Sequence, residues 1–160
     1  MISDNIVECI DVLKEKKYTI AFAEGASSGK ICYQFASLPQ SEKILAGGMV
    51  ALKDHMKEYF FGIEREVLKE FGSESPEIAE RMAHHLCEYL HADICVSVTG
   101  ASCDEKNLEQ NVSTPIFIHI LFPDCEVSKA FTFKGNKVEV AEQTTAKISE
   151  LIISNLTSTI

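Results

Sequence analysis

The order of its predicted elements places this 160-residue chain in the α/β class, as a three-layer α/β/α sandwich around a mixed, mostly parallel sheet. Helical and strand patterns alternate over most of the sequence, two strand patterns then follow one another directly, and a helical pattern comes last. Two strands joined by a short turn run antiparallel, so we expect one strand to oppose the others. The length fits a single domain over residues 1–160, with a frayed tail at 154–160.

The chain begins with a helix and a strand. Apolar residues at helical spacing predict a helix over Asp4–Lys16, with its buried face formed by Ile6, Cys9, Ile10 and Leu13. β-Branched and aromatic residues predict a strand over Tyr18–Ala23. After a loop of small residues a second helix is predicted over Lys30–Ser37, and Pro39 ends it because the residue before a proline avoids the helical region.

The middle of the chain adds a strand and three helices. A buried strand is predicted over Ile44–Ala51, where the pair Gly47-Gly48 indicates a bulge or a close approach of two backbones. Two short helical runs follow, within Leu52–Phe61 and over Glu64–Phe71. The sequence Ser75-Pro76-Glu77 then combines an N-cap serine, a proline at the first helical position and an acid, and predicts a helix to about His91.

The C-terminal part supplies the remaining strands. A continuous apolar run predicts a buried strand over Ile94–Val98, and the longest loop follows it over Ala101–Thr114. Strands over Ile116–Phe122 and Val127–Phe133 form the adjacent pair, and a helix over Val138–Ile153 ends the pattern.

Composition excludes several classes of function. The formal net charge of −9 disfavours a nucleic-acid partner, because phosphate contacts need clustered Lys and Arg. No apolar run reaches the roughly 20 residues that cross a bilayer, so no membrane association is expected. The first residues lack the pattern of a signal peptide, and the six cysteines form no C-x-x-C pair. We therefore expect a cytoplasmic protein with reduced thiols.

The stretch from Tyr18 to Phe35 has the strand–loop–helix form that often builds a site. Backbone N–H groups at a helix start favour an anion or a developing oxyanion, so a small anion is one expected partner. The loop Glu24–Lys30 is not a nucleotide-binding P-loop, because Glu24 replaces its first glycine and Ile31 replaces the Ser or Thr after the lysine.

Other groups of polar side chains are interpreted as structural. One helix face combines metal-ligating residue types at His84, Cys87, Glu88 and His91, yet a solvated face explains them more simply. The isolated His55 and His119 are interpreted as ordinary surface, core or edge residues, and the loop acids Asp104, Glu105 and Glu109 as solvated. No metal and no cofactor is expected.

Several segments in order resemble one known family. They are Glu24 at a strand end, the strand Ala46–Ala51, Lys57 with Phe61-Gly62-Ile63 after it, the helix Ser75–Asp93, Val98-Thr99-Gly100, Phe131–Gly135, and Gln143-Thr144. Together they cover about Ile6 to Ile153, and on them the chain resembles the CinA C-terminal domain family. The resemblance implies the fold described above, self-association as a homo-oligomer such as a dimer, and relatives that are nicotinamide mononucleotide amidohydrolases.

The family chemistry implied by the resemblance needs a serine directly after the glutamate, with a lysine and a tyrosine that handle the proton. Here the serine position is Gly25 and the tyrosine position is Leu52, while Lys57 is retained. A glycine–aspartate–arginine step has become Gly135-Asn136-Lys137, and a later arginine position is Ala141. The remaining shell of the site is expected at Glu24, Gly25, Gly29, Leu52, Thr99, Gly100 and Lys137.

Three hypotheses follow from these departures. The first is a CinA-like domain without ordinary amidase activity, because glycine carries no nucleophile. The second is a divergent hydrolase that uses Ser27 or Ser28 with Lys57, which requires one of these hydroxyls within hydrogen-bond reach of the lysine amine. The third is a pocket that binds a pyridine nucleotide or a small anion without turnover.

Overall fold

The computed structural model describes residues 4–101 and 113–158. The helices are α1 (Asp4–Lys16), α2 (Lys30–Ala36), α3 (Asp54–Phe61), α4 (Arg65–Phe71), α5 (Pro76–Leu90) and α6 (Lys137–Thr157). The strands are β1 (Ile20–Glu24), β2 (Leu45–Val50), β3 (Ile94–Gly100), β4 (Thr114–Leu121) and β5 (Glu126–Phe133), and a short 3-10 turn covers Ser41–Lys43. The bounds agree with those expected from the sequence to within two residues, except at the end of α6.

The strands form one sheet in the order β2-β1-β3-β4-β5. β1 pairs in parallel with both β2 and β3, whereas β4 is antiparallel to both β3 and β5. β5 therefore points in the same direction as the first three strands, and β4 alone opposes them. The predicted mixed, mostly parallel sheet with one reversed strand is confirmed.

Alternating side chains of the sheet form two cores, one on each face. Phe22, Val96 and Ile118 belong to a cluster that includes the buried residues of α1, α2 and α6. Ala21, Ala23 and Cys95 point to the other face and pack in a second cluster with residues of α3, α4 and α5, among them Met82 and Leu86. Helices thus cover both faces, which confirms the three-layer arrangement.

Local sequence explains the buried face of α1 and the starts of α5 and α6. In α1 the buried residues are Ile6, Cys9, Ile10 and Leu13, which are the expected stripe. Ser75 caps α5 by accepting a hydrogen bond from the N–H of Ile78. Asn136 and Glu139 form a capping box at the start of α6.

The end of α6 corrects the expectation of a frayed tail. The helix continues through Ser154 to Thr157, and Leu156 is buried in the core. Leu156 lies four residues after Ile152 and eight after Ile148, so it extends the same apolar stripe by one more turn. Burial of this side chain stabilises the last turn of the helix.

The glycine pair of β2 lies where the sequence predicts a bulge or a close backbone approach. The pairing register of β1 with β2 passes from Leu45 to Gly47, which leaves Ala46 as a bulge. A Cβ atom on Gly48 would lie 3.1 Å from both Cys32 Sγ and the carbonyl oxygen of Phe22. Any larger residue at this position would therefore push Cys32 of α2 or the backbone of β1 away by a few tenths of an ångström, so glycine favours this close packing.

Three expectations from the sequence concern the acidic loop residues, the cysteines and membrane spans. The acidic group Asp104, Glu105 and Glu109 lies outside the described residues. Cys9, Cys32, Cys87, Cys95 and Cys125 are free thiols, of which Cys125 is exposed. No helix among the described residues is both long enough and apolar enough to cross a membrane.

Candidate functional site

A cleft lies at the carboxyl ends of β1 and β3, where chain segments leave the sheet in different directions. Its volume is about 340 Å³, within the range of small-molecule sites. We call it the Lys57 cleft. Its lining residues are Gly25, Ala26, Ala51, Leu52, Lys53, Asp54, Lys57, Ser73, Glu74, Thr99, Gly100 and Lys137. The cleft thereby brings together six positions expected from the sequence, namely Gly25, Leu52, Lys57, Thr99, Gly100 and Lys137.

Glu24 stands behind the cleft and holds the start of α2. Its carboxylate accepts hydrogen bonds from the N–H groups of Gly29 at 2.9 Å, Ile31 at 3.2 Å and Cys32 at 2.7 Å. The side chain is buried, with 1% of the residue exposed. These three N–H groups are therefore already used by an internal carboxylate at the positive end of the helix, and a small anion as a partner stays a prediction.

Gly25 faces the interior of the cleft. A Cβ atom at this position would lie 3.4 Å from the carbonyl oxygen of Val98, 3.6 Å from Thr99 Oγ1 and 3.7 Å from the carbonyl oxygen of Ala51. These are ordinary van der Waals separations, so a side chain would fit here. A Cβ atom on the residue after Glu24 would thus lie beside polar groups of the cleft.

Lys57 is buried at the base of the cleft with all of its donors satisfied. Its Nζ donates to the carbonyl oxygen and to Oγ of Ser73, both at 2.7 Å, and to Thr99 Oγ1 at 3.2 Å. Thr99 Oγ1 in turn donates to the Ser73 carbonyl at 3.0 Å. Burial lowers the pKa of Lys57 from its ordinary value of 10.5, and the nearby carboxylates of Asp54 and Glu74 partly oppose this shift.

The lowered pKa gives Lys57 a distinct pH signature. The unfolded chain holds this proton more tightly than the folded chain, so the stability of the folded state rises with pH in the window just below 10.5. As the pH rises toward 10.5 we expect the wild type to gain stability relative to Lys57→Met, by at most about 1.4 kcal/mol per pH unit. Urea unfolding of both proteins measures this difference, and parallel pH profiles would contradict it.

Ser27 and Ser28 do not reach Lys57. Ser28 Oγ donates to the carbonyl oxygen of Ala26 at 3.4 Å. Ser27 is buried, and its Oγ has no hydrogen-bond partner within the described part of the chain. Ser27 lines a small cavity with Val98 and other residues beside α6, on the sheet face opposite to α3 and α5. The geometry that the divergent-hydrolase hypothesis requires is absent from the described residues.

The other expected positions have separate roles. Leu52 is 59% exposed and Lys137 is exposed, and both lie at the rim of the cleft. Gly100 is required by packing, because a Cβ atom there would collide with the carbonyl oxygen of Pro115 and the side chain of Ile116. Gly29 has a φ of 90°, a left-handed conformation that favours glycine.

Sequence reasoning did not identify Ser73, which is the main partner of Lys57. Ser73 lies in the turn between α4 and α5, between Gly72 and the N-cap Ser75. A polar turn directly before a helix cap was the only available signal, and it does not reveal a contact with a lysine 16 residues away.

The cleft is lined by charged side chains of both signs. Lys53 and Lys137 are exposed lysines at its wall, and Asp54 and Glu74 are the acids that also line it. Among the described residues, no group of three metal-ligating side chains lies in the cleft. Cys32 is not suited to replace a missing nucleophile, because burial and the Glu24 carboxylate raise its thiol pKa.

Related sequences agree with the resemblance inferred from the chain. A CinA-like protein of Desulfotalea psychrophila is 32% identical over 131 residues, which cover 81% of this chain and 32% of that protein. A CinA-like protein of Thermotoga maritima is 27% identical over 128 residues, which cover 80% of this chain and 31% of that protein. The chain therefore spans about a third of the length of these curated relatives.

Solved structures share the fold. A competence or damage-inducible protein from Enterobacter asburiae has a TM-score of 0.85 at 16% identity, covering 98% of this chain and 99% of that chain. A competence-damaged protein (CinA) superfamily protein from Escherichia coli has a TM-score of 0.80 at 17% identity, covering 96% of this chain and 90% of that chain. The family model for the CinA C-terminal domain matches residues 4–156. With fold, element order and family model in agreement, this chain belongs to the CinA C-terminal domain family.

Proposed function

We propose that this CinA C-terminal domain binds a phosphorylated pyridine nucleoside, such as nicotinamide mononucleotide, in the Lys57 cleft without hydrolysing its carboxamide. The observation that carries the proposal is Gly25, which presents only backbone where the cleft has room for a side chain beside Thr99 Oγ1. Hydrolysis of an amide by this route needs a hydroxyl nucleophile. Lys57 keeps its hydrogen bonds but has no serine at position 25 to activate.

Binding has separate support from the walls of the cleft. A ligand phosphate would be attracted by the exposed ammonium groups of Lys53 and Lys137, which line the cleft. The Lys57 ammonium, already satisfied by Ser73 and Thr99, adds positive charge at the base without needing a ligand contact. The acids Asp54 and Glu74, which also line the cleft, limit this attraction.

The test uses the tag-free protein and nicotinamide mononucleotide at millimolar concentration. We expect a rise in Tm and a titration-calorimetry isotherm, while ammonia release stays at the level of a protein-free control. A ligand present at about 100 times its Kd stabilises the folded state by about 2.7 kcal/mol, which gives a measurable Tm shift. Nicotinamide riboside, which lacks the phosphate, is the matched ligand control and is expected to bind more weakly.

Two results would overturn parts of this proposal. Ammonia release that is lost in Lys57→Met would show a working amidase and reject the absence of turnover. No stabilisation by millimolar nucleotide would reject the binding function. The homodimer and the cytoplasmic location implied above stay predictions.

A further inference from the structure

Two histidines and one glutamate converge on the α5 side of the sheet, outside the Lys57 cleft. His84 Nε2 lies 3.1 Å from Glu126 Oε2, and His119 Nε2 lies 2.8 Å from the same oxygen. The three ligand atoms all lie within 4.8 Å of one another. The residues come from α5, β4 and β5, so the cluster is assembled by the tertiary fold.

The strand pairing explains this convergence. His119 pairs with Ser97 on one side and with Ser128 on the other. Ser97 hydrogen-bonds to the carbonyl oxygen of Ala79 in α5, so this row of side chains faces that helix. Glu126 is two residues before Ser128 on β5, so it lies diagonal to His119 on the same face.

We propose that His84, His119 and Glu126 form a binding site for Zn²⁺ or a similar divalent transition-metal ion. Imidazole nitrogen and carboxylate oxygen are established zinc ligands, with metal–ligand distances of about 2.0–2.2 Å. Tetrahedral ligands at such distances lie about 3.3 Å apart. The separations of 2.8 and 3.1 Å from Glu126 Oε2 to the two histidines therefore need to widen by a few tenths of an ångström. The third separation, between the ligand nitrogens of His84 and His119, lies within 4.8 Å and has to reach the same value.

The surroundings allow an ion to enter and to be held. The side chains of His84 and Glu126 are 51% and 49% exposed, whereas that of His119 is 4% exposed. One ligand is thus fixed in the interior, and the other two lie at the surface, where a water molecule can supply the fourth ligand. With neutral imidazoles the three side chains together have a net charge of −1. The groove beside His84 is also negative, because its described lining contains two acids, Glu77 and Glu80, and one base, Arg81.

The ring of His119 presents Nε2 to the cluster. Its Nδ1 is buried with no hydrogen-bond partner in the described part of the chain, so Nε2 is the ring nitrogen that makes polar contacts. Coordination through Nε2 uses the side of the ring that already faces the cluster. Of the helix-face group considered from the sequence, only His84 belongs to this cluster. Glu88 lies instead beside His85, with Oε2 and Nδ1 3.6 Å apart.

The experiment measures Zn²⁺ binding to the tag-free chain after removal of metal with a chelator. We expect one equivalent to bind in titration calorimetry, and His84→Ala and Glu126→Gln each to weaken it by at least about tenfold. His85→Ala is the matched control, since it removes the adjacent histidine of the same helix, and it is expected to bind like the wild type. Circular dichroism checks that each variant is folded.

Substitution with Co²⁺ identifies the ligand atoms. We expect visible bands of a cobalt site without the near-ultraviolet charge-transfer band that thiolate ligands produce, which separates this site from binding by Cys87 or Cys125. Absence of one-to-one binding, equal affinity in His84→Ala and wild type, or a thiolate band would each overturn the proposal. The result is independent of nucleotide binding, because none of the three residues lines the Lys57 cleft.

Discussion

Replacing Glu24 with alanine is expected to lower the free energy of unfolding by about 3 kcal/mol or more, a large part of the stability of a typical domain. The carboxylate accepts hydrogen bonds from three backbone N–H groups, those of Gly29, Ile31 and Cys32. A buried donor left without a partner costs about 1–3 kcal/mol. Alanine removes all three acceptor contacts and also the negative charge at the start of α2.

The size of the side chain and its charge can be separated experimentally. Glu24→Gln keeps the shape of the side chain but offers only one acceptor oxygen. Its NH₂ group would face a backbone N–H, which is also a donor, so we expect a loss of stability between those of the wild type and Glu24→Ala. Urea unfolding measures both variants, with Glu42→Ala as the control because Glu42 is an exposed acid. A Glu24→Ala protein whose free energy of unfolding lies within about 0.5 kcal/mol of the wild-type value would contradict the anchoring role.

Local patterns were sufficient to predict most of the fold. The cap at Ser75, the stripe of α1 and the glycine pair Gly47-Gly48 each have a cause within a few residues of sequence. The adjacent strands before α6 likewise implied the reversed strand β4. Such features follow from backbone geometry and short-range periodicity, which the sequence displays directly.

The candidate site was only partly predictable, because its contacts depend on the tertiary fold. Glu24 was expected as part of the pocket shell, yet its carboxylate turns to the start of α2. The cluster of His119 with Glu126 was missed because each residue looks isolated along the chain, and only the pairing of β4 with β5 brings them together. Ser27 illustrates the reverse case, since it is close to Glu24 in sequence but lies against the opposite face of the sheet from Lys57.

The second large effect is expected at Gly25, where we expect Gly25→Ser to produce the amide hydrolysis that the wild type is proposed to lack. A seryl Cβ would lie 3.6 Å from Thr99 Oγ1, which accepts a hydrogen bond from Lys57 Nζ at 3.2 Å. For the new hydroxyl to attack, its proton must pass to the neutral amine of Lys57, which then gives up its hydrogen bond to Thr99 Oγ1. Burial lowers the pKa of Lys57 and so favours that neutral form. A positioned group of this kind contributes at least about a hundredfold in rate, and we expect that increase in ammonia release from nicotinamide mononucleotide.

The gain should depend on Lys57 and on the character of the new side chain. Gly25→Ala is the matched control: it introduces the same Cβ atom without a hydroxyl, and it is expected to remain folded and inactive. Adding Lys57→Met to Gly25→Ser should abolish the gain, whereas adding Leu52→Tyr should increase it, because Leu52 lies at the rim where the resemblance implies a tyrosine. A Gly25→Ser protein that binds the nucleotide but releases no ammonia would contradict the assignment of Gly25 as the position that prevents catalysis. Equal activity with and without Lys57 would instead exclude the lysine from proton transfer, since a residue that acts on the attacking hydroxyl cannot be removed without lowering the rate.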